Sequence, residues 1–326
     1  MFDIIALGEC LIDFTPSGSN EMGLPLYSQN PGGAPANVLA MATRLGCSTA
    51  FIGKVGRDAF GSFLKASIEK AGIDCRGLVM DRDHLTTLAF VTLNEKGDRS
   101  FSFYRNPGAD LMLSEYDVDA SLLGQTKVFH FGSVSMTDEP SRSATIRSAK
   151  KARESGVLIS YDPNYRPLLW RDGIEAAEIM KSALALCDVV KVSDEELELL
   201  TGTSDVVKGS KILSDMGLSI VVVTMGPRGS FVRRGGYTNS FRTFDVKTVD
   251  TTGAGDAFLG AFLWNIAVKN GCTTLKQISE MPTAAIDDAM VFANAAGSLT
   301  TSKKGAIPAM PSAEEISSCI AFVPLL

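Results

Sequence analysis

The sequence predicts a three-layer α/β fold: a mainly parallel central sheet with helices on both faces, carrying a small second β-sheet. Three observations lead there. Short β-branched runs alternate with helical stretches along most of the 326 residues, the rhythm of parallel strands joined by helical crossovers. A hydrophobic content of 45% is enough to fill a large core. Two stretches, 13–30 and 87–105, break the rhythm with extended, turn-rich sequence, and read as a small β appendage outside the central sheet.

Taken in order, the pattern predicts a strand at 4–7, a helix over about 36–45, a strand at 49–55 and a helix at 59–71. Residues 13–30 contain Pro and Gly and read as extended, while 87–93, the turn Asn94-Glu95-Lys96-Gly97 and 98–104 read as a hairpin. The alternation resumes with strand 128–131, helix 141–154, strand 157–161, helix 174–186, strand 189–192, helices 195–200 and 206–216, and strand 220–224. A strand end at 246–249 then leads into Gly253-Ala254-Gly255, after which Ala257, Phe258, Ala261, Phe262 and Trp264 continue as a helix. No repeat, low-complexity segment or interdomain linker interrupts the chain, so one domain over 1–326 is expected, with 13–30 and 87–105 inserted in it.

Composition narrows the function. The longest apolar runs, such as 219–223, are strand-sized, and the start Met1-Phe2-Asp3-Ile4-Ile5 has no basic segment before an apolar one; a cytoplasmic protein without membrane contact is expected. The net charge is −6 and no basic block exceeds two residues, which argues against nucleic acid as a partner. Six cysteines without a Cys-x-x-Cys pair, and only two histidines, argue against zinc and a disulfide framework.

The string Asp250-Thr251-Thr252-Gly253-Ala254-Gly255-Asp256-Ala257-Phe258 is the most informative segment. Glycines permit the tight turn and close backbone approach, and the helix that follows offers free N–H groups and a positive dipole end, an anion site. Asp256 lies in its first turn. Acidic residues there also stabilise helices by a few tenths to about 1 kcal/mol, but a preceding Gly-x-Gly and a second Asp six residues upstream favour chemistry. The pattern fits phosphoryl transfer, with Asp256 as proton acceptor and the Gly253, Ala254 and Gly255 amides as anion hole. Neither Gly-x-x-x-x-Gly-Lys-[Ser/Thr] nor a post-strand Gly-x-Gly-x-x-Gly occurs, which excludes a P-loop and a dinucleotide fingerprint. Gly8, Asp162, Thr224 and Asp250 each follow a predicted strand, on the rim where such sheets collect ligands.

This string resembles the C-terminal signature of the PfkB, or ribokinase-like, carbohydrate kinases, and Gly32-Gly33-Ala34-Pro35-Ala36-Asn37-Val38 followed by Leu45-Gly46 resembles the N-terminal one. Similarity runs over about 4–311. It is closest in detail to the fructokinases, through Phe103-Tyr104-Arg105-Asn106-Pro107-Gly108-Ala109-Asp110, Phe129-His130-Phe131-Gly132-Ser133, Tyr161-Asp162-Pro163-Asn164-Tyr165-Arg166 and Lys304-Gly305-Ala306-Ile307-Pro308-Ala309. The resemblance implies an ATP- and Mg²⁺-dependent sugar kinase making fructose 6-phosphate. Rivals are a 2-keto-3-deoxygluconate kinase, an aminoimidazole riboside kinase and, from another class, a catalytically silent sugar-binding relative.

Residue roles follow from the same resemblance. Asp13, Gly33 and Asn37 take sugar hydroxyls, and Arg105 and Arg166 also reach the substrate. Thr224, Gly226 and Gly229 approach the nucleotide phosphates, while Asn294 and Gly297 line the adenine pocket. Ser193 replaces the Asn of the family's Asn-x-x-Glu, leaving that nucleotide contact in doubt, and Glu196 holds Mg²⁺ through water; the pair also reads as a helix capping box. Asp250, Thr252, Thr300, Lys303, Gly305 and Ala309 correspond to a K⁺ site built largely from carbonyls. The inserted stretches correspond to a lid over the sugar, whose exposed strand edges make a homodimer conceivable.

Overall fold

Side chains alternate across the central strands and so build two cores. Along Phe2–Leu7, Ile4 and Ala6 join one apolar cluster, and Ile5 and Leu7 join the other. Ile220 and Val222 repeat the division against Val221 and Val223. A strand apolar on both faces belongs in the interior of a sheet covered twice.

The computed structural model describes residues 1–93 and 99–326, so the predicted turn Asn94-Glu95-Lys96-Gly97 lies outside the described residues. The chain forms β1 (Phe2–Leu7), β2 (Leu11–Ser19), β3 (Pro25–Gly32), α1 (Ala34–Arg44), β4 (Thr49–Gly56), α2 (Ala59–Lys70), β5 (Asp74–Asp81), β6 (Leu88–Leu93) and β7 (Arg99–Tyr104). Next come α3 (Ala120–Leu123), β8 (Thr126–Gly132), α4 (Ser141–Glu154), β9 (Leu158–Asp162), α5 (Gly173–Leu184), β10 (Val189–Ser193), α6 (Asp194–Thr201), α7 (Val206–Asp215) and β11 (Ile220–Thr224). The last third holds β12 (Ser230–Arg234), β13 (Tyr237–Phe241), α8 (Ala254–Trp264), α9 (Leu275–Glu280), α10 (Thr283–Thr300) and α11 (Ala313–Phe322).

Among the described residues the large sheet runs β13-β12-β11-β10-β9-β8-β1-β4-β5. All neighbours from β11 to β5 pair parallel, and β12 and β13 add an antiparallel edge. α1, α8, α10 and α11 share one core, whereas α4, α5, α6 and α7 share the other. This is the expected three-layer arrangement. The small sheet runs β3-β2-β6-β7, with Asp13 opposite Asn30 on one side and Ala89 on the other. Phe14, the next residue, faces the other way: it stacks on Phe90 with centroids 4.7 Å apart and meets Phe60 of α2 edge-on at 5.8 Å.

Several expectations need correction. Helix α1 begins two residues before the predicted 36, because Pro35 fits a first turn where a missing N–H costs nothing. Residues 246–249 form no strand. Val249 and Asp250 N–H both donate to the Thr301 carbonyl, at 2.8 and 3.0 Å, and Asp250 arrives at the rim on an irregular segment. Absent from the sequence expectations are the edge strands β5 and β13, and β12 beside the latter: β5 mixes Asp, Arg and Gly into its run, as edges do, although Gly235-Gly236 between β12 and β13 is a readable hairpin turn. No helix among the described residues is long and apolar enough to cross a membrane.

Candidate active site

Parallel strands deliver their carboxyl ends to one rim, where Asp162, Ser193 and Thr224 close β9, β10 and β11. Helix α8 points its N-terminus at this rim. Gly253 caps it in the left-handed conformation, φ 77°, and a Cβ there would come within 2.6 Å of Ala306 Cβ; only glycine makes this turn comfortably. A cavity of about 300 Å³ is lined by Ala254 and Gly255 together with Thr224, Gly226, Gly229, Asn294 and Gly297. The expected phosphate and adenine residues therefore share one cavity. Asn294 donates its amide to Ser230 Oγ at 2.8 Å, which fixes its orientation.

Asp256, one residue into the helix from that cavity, is 8% exposed. Asn37 Nδ2 donates to its Oδ2 at 2.9 Å, and Asn164 Nδ2 approaches its Oδ1 at 3.4 Å. Burial, then the Asp162 charge, pushes the Asp256 carboxyl up to about 6. The Asn37 hydrogen bond, Lys191 and Arg166 act in the opposite sense. Asp13 is also raised to about 6 by burial, against the pull of Arg166. Its side chain lies over Gly32, where a Cβ would sit 2.1 Å from Oδ2, while Gly33 brings its backbone onto the Glu9 carbonyl. Asn37 Oδ1 is buried without a hydrogen-bond partner, as is Glu9 Oε2. Orphaned acceptors beside a carboxylate suit a ligand that donates hydroxyl protons.

Lys191 escaped the sequence reading. It is buried on β10, pairs with Asp162 Oδ2 at 2.6 Å, and packs beneath Gly255, where a Cβ would stand 3.1 Å from Nζ. Burial opposes its charge, but Asp162, Glu196 and Asp256 outweigh that and hold the ammonium above its ordinary range. The signal was available: one lysine in the run Val189-Val190-Lys191-Val192 needs an anion partner if the strand is buried. Asn164 was likewise overlooked. Its φ of 48° is the left-handed region that Asn tolerates better than most residues.

Ser193 and Glu196 form the capping box: Ser193 Oγ accepts from Glu196 N at 3.1 Å, and Glu196 Oε2 accepts from Ser193 N at 2.8 Å. Glu196 Oε1 accepts from Tyr165 N at 2.7 Å. Burial first, then Asp162, raises the Glu196 carboxyl. Each oxygen keeps a lone pair beyond its amide, which fits a water-mediated divalent cation better than direct ligation.

At the other flank Asp250 Oδ1 accepts from Thr252 N and Oγ1, at 3.0 and 2.7 Å, and Oδ2 accepts from Gly305 N at 3.1 Å. The Lys303 ammonium pairs instead with Glu315 at 3.0 Å, and the Thr300 hydroxyl donates to the Ala296 carbonyl at 2.8 Å. Of the expected K⁺ set, Asp250, Thr252 and Gly305 are thus joined by hydrogen bonds, Lys303 and Thr300 turn their side chains elsewhere, and Ala309 is buried. Arg105 is engaged too. Its guanidinium pairs with Asp110 at 2.6 Å and donates to Thr137 Oγ1 at 2.8 Å and the Val134 carbonyl at 3.0 Å, and its charge is felt by Glu9. Arg166 is exposed, and its charge is felt by both Asp13 and Asp256.

Comparison with known proteins agrees with this fold. Fructokinase-2 of Solanum lycopersicum is 43% identical over 315 residues, covering 96% of this chain and 94% of that protein. The fructokinase of Xylella fastidiosa, solved with bound ATP, superposes with a TM-score of 0.89 at 33% identity over 98% of this chain and 99% of that one. The fructokinase of Vibrio cholerae, solved with fructose, ADP and calcium, gives 0.86 at 34% identity over the same shares. The model of the pfkB family carbohydrate kinases matches residues 1–313, and the chain belongs to that family.

Proposed function

We infer that this protein is an ATP-dependent fructokinase, converting D-fructose and ATP into D-fructose 6-phosphate and ADP. One observation carries the reading: Ala254 and Gly255 line the cavity at the start of α8, and Asp256, the next residue, is buried and held by Asn37. Nucleotide and sugar then meet at the helix N-terminus. Relatives named fructokinase over nearly the whole length of this chain supply the substrate.

Asp256 accepts the proton of the fructose 6-hydroxyl as its oxygen bonds to the γ-phosphorus and the bond to the β,γ-bridging oxygen breaks, releasing ADP. Amides of Gly253, Ala254, Gly255 and Asp256 stabilise the migrating charge at the positive end of α8. Asp13, Gly33, Asn37 and Arg166 hold the sugar, with Arg105 in support. Thr224, Gly226, Gly229, Asn294 and Gly297 hold ATP, and the small sheet closes over the sugar to exclude water. Glu196, beside Ser193, would hold Mg²⁺ through water, and the cation would neutralise phosphate charge. K⁺ is held near Asp250, Thr252 and Gly305, with the backbone of Thr300, Lys303 and Ala309. A single kinase domain over 1–326, a homodimer paired through the small sheet's edge and a reducing, cytoplasmic setting for six free cysteines complete the reading.

The test is ADP formation with ATP, Mg²⁺ and K⁺ on fructose, 2-keto-3-deoxygluconate, ribose and aminoimidazole riboside, with Asp256→Asn as blank. Fructose-dependent turnover that disappears in the variant supports both chemistry and substrate. Turnover on the keto-acid alone keeps the chemistry and reassigns Arg166 to a carboxylate.

A further inference from the structure

The nucleotide cavity has one wall that no catalytic motif supplies. After α11 the chain turns back and pairs with the segment that follows β13: Phe244 and Leu325 form an antiparallel bridge, Asp245 N donates to the Pro324 carbonyl at 2.8 Å, and Leu326 N donates to the Thr243 carbonyl at 2.9 Å. Arg242 clamps the strap from below, donating to the Leu325 carbonyl at 3.1 Å and to the Leu326 carbonyl. The other edge of 243–245 is tied to α10, where Ser298 Oγ lies 2.7 Å from Thr243 Oγ1 and accepts from Phe244 N at 3.4 Å.

This arrangement places Leu326 in the cavity lining together with Phe244, Val246 and Phe258, and with Asn294 and Gly297 of α10. Leu326 is 49% exposed, so it has apolar surface left for an incoming group to cover. The lining combines backbone-rich positions, Gly226, Gly229, Ala254 and Gly255, with the apolar side chains of Phe244, Val246, Phe258 and Leu326. Apolar lining of this kind suits the flat, weakly polar face of a heteroaromatic base.

We propose that 323–326 is a nucleotide-binding strap, in which Leu326 packs on the base and the backbone bonds of 324–326 hold 243–245 in position for it. The proposal rests on the nucleotide reading of this cavity and adds a base-contacting element outside the glycine-rich motifs. Removing the leucine side chain exposes some tens of Å² of apolar contact, which corresponds to about a five- to tenfold weaker affinity.

Two measurements test it. In Leu326→Ala, and in a variant lacking 325–326, KM for ATP should rise about five- to tenfold while KM for fructose moves less than about twofold. Hydrogen exchange on the unaltered protein removes any dependence on variant folding: the amides of Asp245 and Leu326 should slow when ADP is added. ATP kinetics unchanged in both variants, or exchange at these amides indifferent to a nucleotide that demonstrably binds, would overturn the strap. Failure of the unaltered protein to bind ATP or ADP would instead overturn the reading of the cavity, and the strap with it.

Discussion

Asp256→Asn should abolish activity and stabilise the fold at the same time. Burial and Asp162 lift the Asp256 carboxyl from its ordinary 3.8 to about 6. At pH 8 the folded protein therefore carries a charge it would rather shed. A shift of about two units, at about 1.4 kcal/mol each, amounts to about 3 kcal/mol. Asparagine is neutral at every pH and keeps the shape. One amide must turn so that Asn37 and Asn164 still meet acceptors, a cost of about 1 kcal/mol, leaving a gain of about 2 kcal/mol. The sign follows from proton uptake. Because the folded-state value is raised, the Asp256 contribution to wild-type stability is complete below about 3.8 and is lost as pH rises through about 6. The variant's advantage is then largest above pH 7 and nearly gone by about pH 4. Thermal unfolding of both proteins at pH 4, 6 and 8 measures this, alongside turnover, which should fall by about 10²–10⁴. An advantage that is absent at pH 8, or independent of pH, would refute the buried-charge argument. Near-normal turnover would refute the role of the base.

Asp13→Ala should raise KM for fructose far more than KM for ATP in steady-state kinetics; equal losses would make Asp13 a structural residue. Asn37→Ala removes a hydrogen bond that lowers the Asp256 carboxyl, so the acid limb of the kcat profile should move to higher pH, and an unmoved limb would mean that Asn37 serves only the sugar. Lys191→Met leaves Asp162 buried without its 2.6 Å partner and should cost about 3–5 kcal/mol in denaturant unfolding. Adding Asp162→Asn to it should recover much of that loss, and no recovery would place the loss in packing.

What the sequence revealed and what it hid divide along physical lines. The parallel strands were legible because strands such as 189–192 and 220–224 are apolar on both faces, a pattern only a doubly covered sheet requires. The α8 turn was legible because Gly253 takes a left-handed conformation that glycine adopts most easily, and because Gly-x-Gly before a first-turn Asp is a local pattern. Edge strands were harder, since β5 needs one polar side and lost its periodicity to Asp, Arg and Gly. Partnerships were hardest. Nothing local in the sequence ties Asn37 to Asp256, 219 residues away, or tells that Arg105 would be claimed by Asp110 and Thr137. Lys191 was a missed opportunity, because a cation inside an apolar strand announces that a carboxylate is coming from another strand.

The charge balance of the site leads to a last prediction. Asp162, Glu196 and Asp256 are buried near the buried cation Lys191, and Arg166 at the site is exposed. Repulsion among these carboxylates appears directly in the raised Asp256 and Glu196 groups, each lifted by burial and next by Asp162. A nucleotide alone would add negative charge to this surplus, whereas a nucleotide arriving with a divalent cation would relieve it near Glu196. Thermal shifts should therefore be strongly non-additive: ADP alone gives little, Mg²⁺ alone gives little, and the pair raises the melting temperature well beyond their sum. Glu196→Gln separates this from ordinary phosphate chelation, since it retains one acceptor oxygen but lacks the charge. In that variant ADP alone should bind better than in wild type, and the added effect of Mg²⁺ should shrink. If the pair remains as synergistic in the variant as in wild type, the cation is held by the phosphates alone and Glu196 is only the cap of its helix.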